Sequence, residues 1–208
     1  MDYLLVGGIK MVEMNEMRLD LKNNEEFKKA FKFIIEQIGE DSDREGLKRT
    51  PLRIAKAFEE WFGGYAIKNP EEVLNRTFPS EGYNDLCVIK NISFNSFCEH
   101  HIAPFDGVAH IGIVYNNRIA GLDKFVKLVY MYARRLQTQE VMTQQIGEAI
   151  KKVLKPKGIY VLIEAKHKCV GSRETRNEST EFITTYRDGL FIKKEDLESR
   201  FLQLVNKR

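Results

Sequence analysis

Three cysteines and four histidines supply all the thiol and imidazole groups in this chain of 208 residues, and five of them crowd into two short segments. Cys98, His100 and His101 follow one strand-like stretch; His167 and Cys169 follow another. A fold that uses this clustering chemically must lay two strand ends, far apart in sequence, side by side. Cys98 and His101 have the Cys-x2-His spacing with which a turn grips one ion. His167 and Cys169, two residues apart, face the same side if the strand runs through both. Mixed thiolate and imidazole ligands suit zinc. A closed structural zinc site takes four protein ligands, whereas a catalytic one takes three and keeps a position for water. Cys98, His101 and Cys169 are therefore assigned as ligands. His100 and His167 remain as acid–base groups, because imidazole titrates near neutrality. Buried apolar thiols and hydrogen-bonded core histidines would account for any one of these residues, but poorly for five in two clusters.

Composition narrows the function classes. The chain is 43% hydrophobic, enough for one ordinary core with a small helical appendage. Its 33 basic and 30 acidic residues leave a formal net charge of only +3. No global field therefore points to nucleic acid or an anionic membrane. No apolar run approaches the roughly 20 residues of a membrane span. The apolar residues 3–9 lack a basic leader and a cleavage site, so they read as a tail rather than a signal peptide, and a cytoplasmic location is expected. Three widely spaced cysteines, an odd number, argue against a disulfide framework.

Periodicity predicts an α+β chain. Residues 1–22 read as a flexible tail, 23–80 as a helical region and 81–208 as the catalytic domain. Phe27, Phe31, Ile34, Ile35 and Ile38 recur at helical spacing after candidate caps at Asn23 and Asn24, and the helix ends near Gly39. Thr50 is placed to cap a second helix with Pro51 in its first turn, running to about Phe62. Residues 87–97 and 107–115 look like strands, with a turn at Asn116 and Asn117. Phe125, Leu128, Val129 and Tyr132 stripe one helix; Val141, Ile146, Ile150 and Val153 stripe another, which breaks at Pro156. Residues 158–165 form a continuous apolar run typical of a buried strand. A further strand is expected over 182–186 and a last helix over 195–205.

Six segments, in order, resemble the GTP cyclohydrolase I family over nearly the whole chain past residue 24. They are IGEDSDREGL (38–47), TPLRIAK (50–56), CEHH (98–101) with Pro104, Phe105 and Gly107, GLDK (121–124), YARRLQTQE (132–140) with Thr143, and HKC (167–169) with Arg173. The resemblance implies a T-fold, an antiparallel sheet with two paired helices, assembled as a toroidal homodecamer with active sites between subunits. It implies hydrolysis of GTP at C8, releasing formate and forming 7,8-dihydroneopterin triphosphate for folate and pterin biosynthesis. The family's zinc ligands fall on Cys98, His101 and Cys169, and its acid–base histidines on His100 and His167. Its guanine-recognition pair falls on Gln139 and Glu140. Its phosphate-binding positions fall on Lys124, Lys127 and Arg173, with Arg53 and Lys56 approaching from a neighbouring subunit.

The chain departs from the family at three phosphate-site positions. Asp123 stands where serine is usual, Lys127 where arginine is usual, and Glu174 where glycine is usual. Two changes add negative charge and one replaces a bidentate donor by a point charge. Asp123 thus joins the candidate substrate-binding residues, and a different nucleotide or phosphate state becomes the alternative substrate. A non-catalytic zinc-containing oligomer is the other alternative, disfavoured by the two spare histidines. A nucleic-acid module is disfavoured by the balanced charge.

Overall fold

A computed structural model describes residues 5–6, 9–10, 19–173 and 177–207. The chain divides into two units, Met1–Lys68 and Asn69–Arg208. The expected tail falls mostly outside the described residues, as does Glu174. Leu5–Val6 (β1) pairs antiparallel with Ile9–Lys10 (β2).

In the first unit, α1 spans Glu25–Gln37 and α2 spans Thr50–Trp61. Asn24 caps α1, its side-chain oxygen accepting from the Phe27 amide at 2.9 Å. Phe27, Phe31 and Phe58 pack ring to ring, with centroids 4.9–5.5 Å apart. This aromatic trio joins the two helices. The predicted stripe is only partly buried: Ile35 faces inward, whereas Ile34 and Ile38 are exposed. Nor is Thr50 a cap. It is already helical, and the capping position belongs to Arg49, which makes no side-chain cap. The backbone enters α2 from a preceding turn, with Thr50 N–H donating to Leu47 O at 2.8 Å, so the entry is held by main chain.

The second unit opens with a 3-10 turn at Pro70–Leu74, then β3 (Thr77–Pro79), β4 (Leu86–Cys98), β5 (Pro104–Val114) and β6 (Arg118–Ala120). Helix α3 (Leu122–Ala133), β7 (Leu136–Gln137) and α4 (Gln139–Leu154) follow. The chain ends with β8 (Gly158–His167), α5 (Lys168–Gly171), β9 (Phe182–Gly189), α6 (Leu190–Lys193) and α7 (Glu195–Asn206). Five strands form one sheet in the order β7-β4-β5-β8-β9; the four long ones are antiparallel and β7 runs parallel to β4. A helix pair inserted between β5 and β8 completes the α+β T-fold expected from the sequence.

Alternation along the strands explains the two-sided burial. Val114, Tyr160 and Leu162 join Leu86 in a cluster with Phe191, Leu197 and Phe201 from the C-terminal helices. The intervening Ile111, Ile113, Ile159, Val161 and Ile163 point to the opposite face and are fully buried. Helices α3 and α4 pack on the sheet, and their Phe125, Leu128, Met142, Ile146 and Ile150 are fully buried. Covered on both faces, β8 reads as an unbroken apolar run. Val141, placed in the predicted α4 stripe, is instead exposed. It lies in the first turn of the helix, beyond the buried face. Helix α4 ends with Lys155 in the left-handed region, just before Pro156. No helix is long and apolar enough to cross a membrane among the described residues.

One buried polar contact bears on pH. Strand β4 carries an irregularity between Ile89 and Ile92, where Asn91 has φ of 60°. The Asn91 amide donates to His110 Nδ1 at 3.4 Å, and His110 is almost fully buried. Burial, with the Lys90 charge, pushes the His110 imidazole below its ordinary value. The folded state therefore prefers neutral His110, while the unfolded chain takes up a proton near pH 6.5. Stability is expected to fall as pH drops through that range, by at most about 1.4 kcal/mol per pH unit from this residue. Denaturant titrations at pH 7.5 and 5.5 should show a smaller acid-induced loss in His110→Gln than in the parent. An equal loss in both would remove His110 as the cause.

Candidate active site

Cys98 is the last residue of β4, and the chain then turns back into β5 through a short loop. The Cys98 amide donates to Ala103 O at 2.8 Å, and the Ile102 amide to Cys98 O at 2.8 Å. Ile102 adopts a left-handed conformation, with φ of 53°. This tight return folds both histidines back over the cysteine. His100 Nδ1 lies 3.6 Å from Cys98 Sγ, and His101 Nδ1 lies 3.9 Å from it.

Cys169 arrives from the far side of β5. Phe105 pairs with His167 across the β5–β8 ladder, which brings the end of β8 beside the start of β5. The expectation that His167 and Cys169 share one face of a strand is not met. The strand stops at His167, and Cys169 sits in the single helical turn of α5. That turn carries the thiol over to Cys98. Ligand atoms of Cys98, His101 and Cys169 all lie within 4.8 Å of one another. Around a tetrahedral zinc such atoms stand roughly 3.3–3.8 Å apart, given zinc–sulfur and zinc–nitrogen bonds of about 2.3 and 2.0 Å. A contraction of about 1 Å closes the trio on an ion, so donor chemistry and spacing both fit a metal. Burial and the neighbouring Cys98 sulfur push the Cys169 thiol up. The three cysteines, Cys87 included, are free of disulfides.

A cavity of about 370 Å³ opens beside this trio. Cys98, His100, Glu140, His167, Cys169 and Phe182 are among its lining residues. Glu140 stands in the first turn of α4, whose N-terminus Thr138 caps by accepting from the Val141 amide. His100 is largely exposed at the mouth, with Nε2 3.9 Å from Glu99 Oε1. His167 is held more tightly. Its ring stacks on Phe105 at 4.4 Å with an interplanar angle of 6°, and it meets Phe182 edge-on at 6.0 Å. Burial pushes its imidazole below the ordinary value, partly opposed by the Glu140 carboxylate.

Gln139, expected to read guanine together with Glu140, is also among the cavity's lining residues, but its side chain is engaged by protein. It is fully buried. The two protons of its Nε2 are shared among three acceptors, Phe182 O at 2.8 Å, Ile163 O at 3.1 Å and Thr184 Oγ1 at 3.1 Å, and its Oε1 lies 2.9 Å from His167 Nε2. Both ends of the amide are committed to protein. An amide at a helix start reads from sequence as a solvated group; only β8 and β9 closing over it make it internal.

The cationic residues are distributed differently. Lys124 and Lys127 lie on α3 and share one partner, Asp123 Oδ2, at 3.4 and 2.9 Å. The Lys127 hydrogen bond, with both lysine charges, holds the Asp123 carboxyl below the usual carboxylate range. Neither lysine lines the cavity. Arg173 Nη1 lies 2.8 Å from His101 Nε2, a contact that nothing in the sequence announced. Arg53 and Lys56 lie three apart on α2 in the first unit, both exposed.

Similarity to known proteins bears on the family. The family model described as GTP cyclohydrolase I matches residues 27–206. A protein of Brucella suis (strain ATCC 23445 / NCTC 10510) named GTP cyclohydrolase 1 is 46% identical over 177 residues, covering 85% of this chain and 83% of its own. A protein of the same name from Brucella abortus (strain S19) matches equally. Among solved structures, the archaeosine synthase QueF-Like in the apo form aligns with a TM-score of 0.42 at 15% identity, over 50% of this chain and 93% of its own. With the family model matching from within α1 through every strand of the five-stranded sheet, this chain belongs to the GTP cyclohydrolase I family.

Proposed function

We propose that the chain hydrolyses GTP at C8, releasing formate and forming 7,8-dihydroneopterin triphosphate, in the service of folate or pterin synthesis in the cytoplasm. One observation carries the reading: a Cys–His–Cys trio within 4.8 Å borders a cavity lined by two further histidines and a carboxylate. A structural metal needs neither spare histidine. Relatives at 46% identity named GTP cyclohydrolase 1 support the same reaction.

Zinc is the ion assigned to Cys98, His101 and Cys169, because two thiolates and an imidazole are its ordinary donors. When bound, it supplies Lewis-acid activation of the attacking water. The chain's own groups do the rest. Glu140 accepts from guanine N1–H and the 2-amino group, a pair of donors that adenine lacks. His167, clamped between Phe105 and Phe182, moves a proton at the reacting centre. His100, at the mouth, protonates the purine nitrogen as the ring opens. Lys124, Lys127, Arg173, Arg53 and Lys56 are assigned to the triphosphate. Lys124 and Lys127 lie outside the cavity of their own chain, which supports sites completed by a neighbouring copy in a homo-oligomer, a decamer by family resemblance.

A second reading concerns the phosphate state. Asp123 already satisfies the ammonium groups of Lys124 and Lys127, so a triphosphate must compete with an internal anion. A substrate with fewer phosphates loses less by that competition. Incubating purified protein with GTP, GDP and GMP and measuring formate, together with the fluorescent pterin formed on oxidation, separates the two readings. Formate from GTP first is expected; none from any of the three would overturn the proposal. Glu140→Ala is expected to raise KM for GTP at least ~10-fold through lost charge-assisted hydrogen bonds. An unchanged KM would remove Glu140 from base recognition.

A further inference from the structure

The buried amide of Gln139 has a use that base recognition does not supply. Its orientation is dictated by what surrounds it. Phe182 O and Ile163 O are carbonyl oxygens that only accept hydrogen bonds, and both stand within 3.1 Å of the amide nitrogen. Turning the amide over would set its own oxygen against those two. The hydroxyls nearby close the pattern. Thr143 Oγ1 donates to Gln139 O at 2.7 Å, which uses its one proton. The 2.7 Å contact between Thr143 and Thr184 then requires Thr184 to donate, so Thr184 Oγ1, 3.1 Å from Gln139 Nε2, can face the amide nitrogen only through a lone pair. Three acceptors thus share the two protons of the amide nitrogen, and none of them could face an amide oxygen there.

One consequence reaches the cavity. Gln139 Oε1 can only accept, so the ring nitrogen 2.9 Å away, His167 Nε2, must carry the proton. Neutral His167 then has its lone pair on Nδ1, a nitrogen with no hydrogen-bond partner among the described residues. Phe105, stacked at 4.4 Å, fixes the plane of the ring while Gln139 fixes its tautomer. We infer that Gln139 is a positioning residue: it locks His167 as the Nε2–H tautomer and thereby presents Nδ1 as the proton-accepting atom in the cavity. The inference rests on the proposed catalytic role of His167 for its consequence in turnover, but not for the tautomer itself.

The test uses zinc-loaded, full-length protein labelled with 15N-histidine, read by solid-state 15N NMR, with His167→Gln identifying the His167 signals. The proton is expected on Nε2 in the parent protein; a proton on Nδ1 overturns the inference, whatever the protein does with GTP. Gln139→Leu is expected to lose the single tautomer and to lower kcat at least ~10-fold, with KM for GTP within about twofold. Gln139→Glu is the conservative rescue. Buried against carbonyls, its protonated carboxyl donates with one oxygen and accepts from His167 with the other. It is expected to keep the Nε2–H tautomer and most of kcat. A raised KM with unchanged kcat in Gln139→Leu would return Gln139 to base recognition and overturn the inference. If neither variant folds, the NMR signals of the parent protein still decide the matter. Absence of turnover in the parent protein, with the tautomer as expected, would instead count against the proposed reaction alone.

Discussion

Replacing Cys169 by alanine is expected to remove bound metal and formate release together, the activity falling on the order of 10³-fold or more. The residue sits in the single turn of α5 and is only partly buried. Alanine fits a helical turn well, so the fold should survive with a loss of about 1 kcal/mol or less. The site should not survive. Cys98 and His101, with Nδ1 and Sγ 3.9 Å apart, leave two protein ligands where a catalytic zinc takes three. His100, 3.6 Å from the same sulfur, is the nearest replacement, but recruiting it withdraws an acid–base group. The measurement is metal content after dialysis beside formate release. Thermal unfolding with and without added zinc supplies a control, because an ion that binds only the folded state raises Tm. The parent protein should show that rise and the variant should not. A variant that keeps a full equivalent of metal would sink the ligand assignment.

Gly107→Ala should give the largest loss of stability. Gly107 lies on β5 between Phe94 of β4 and Ala165 of β8. A Cβ there would stand 2.0 Å from Glu164 O, 2.7 Å from the Ala165 Cβ and 2.8 Å from its Cα. Two of the three atoms are backbone, so no rotamer change relieves the overlap. The β5–β8 ladder must open, and the opening falls close to the Phe105–His167 pair on the same ladder. A loss of about 3 kcal/mol or more is expected, at the upper end for overpacking. In a protein of this size that lowers Tm by on the order of 10 °C. Activity should fall further than the fraction unfolded accounts for, since His167 loses its stacking partner's register. A Tm within about 2 °C of the parent would show that the ladder yields more easily than the geometry implies.

Much of the candidate metal site was legible in the sequence because its information is local. Cysteines and histidines are few here, and their clustering at the ends of two strand-like runs needs no tertiary knowledge to notice. Helix periods over residues 25–37 and 122–154 were legible for the same reason, as was the β8 run. Local reasoning failed at Thr50, where a main-chain turn replaced a side-chain cap, and at Cys169, where a helical turn replaced strand alternation. In each case several backbone conformations place the same residue types in similar positions, and the neighbours decide among them.

Gln139 marks the boundary between the two kinds of information. The sequence alone determined the donor atoms available, the order of the elements and the family, because these depend on residue identity and near-neighbour spacing. Only the tertiary structure decided that the Gln139 amide lies under β8 and β9, that Asp123 occupies the ammonium groups of Lys124 and Lys127, and that Arg173 reaches His101. Whether a polar side chain meets water or a buried carbonyl depends on which distant strands close over it, and that is a property of packing rather than of the segment that carries it.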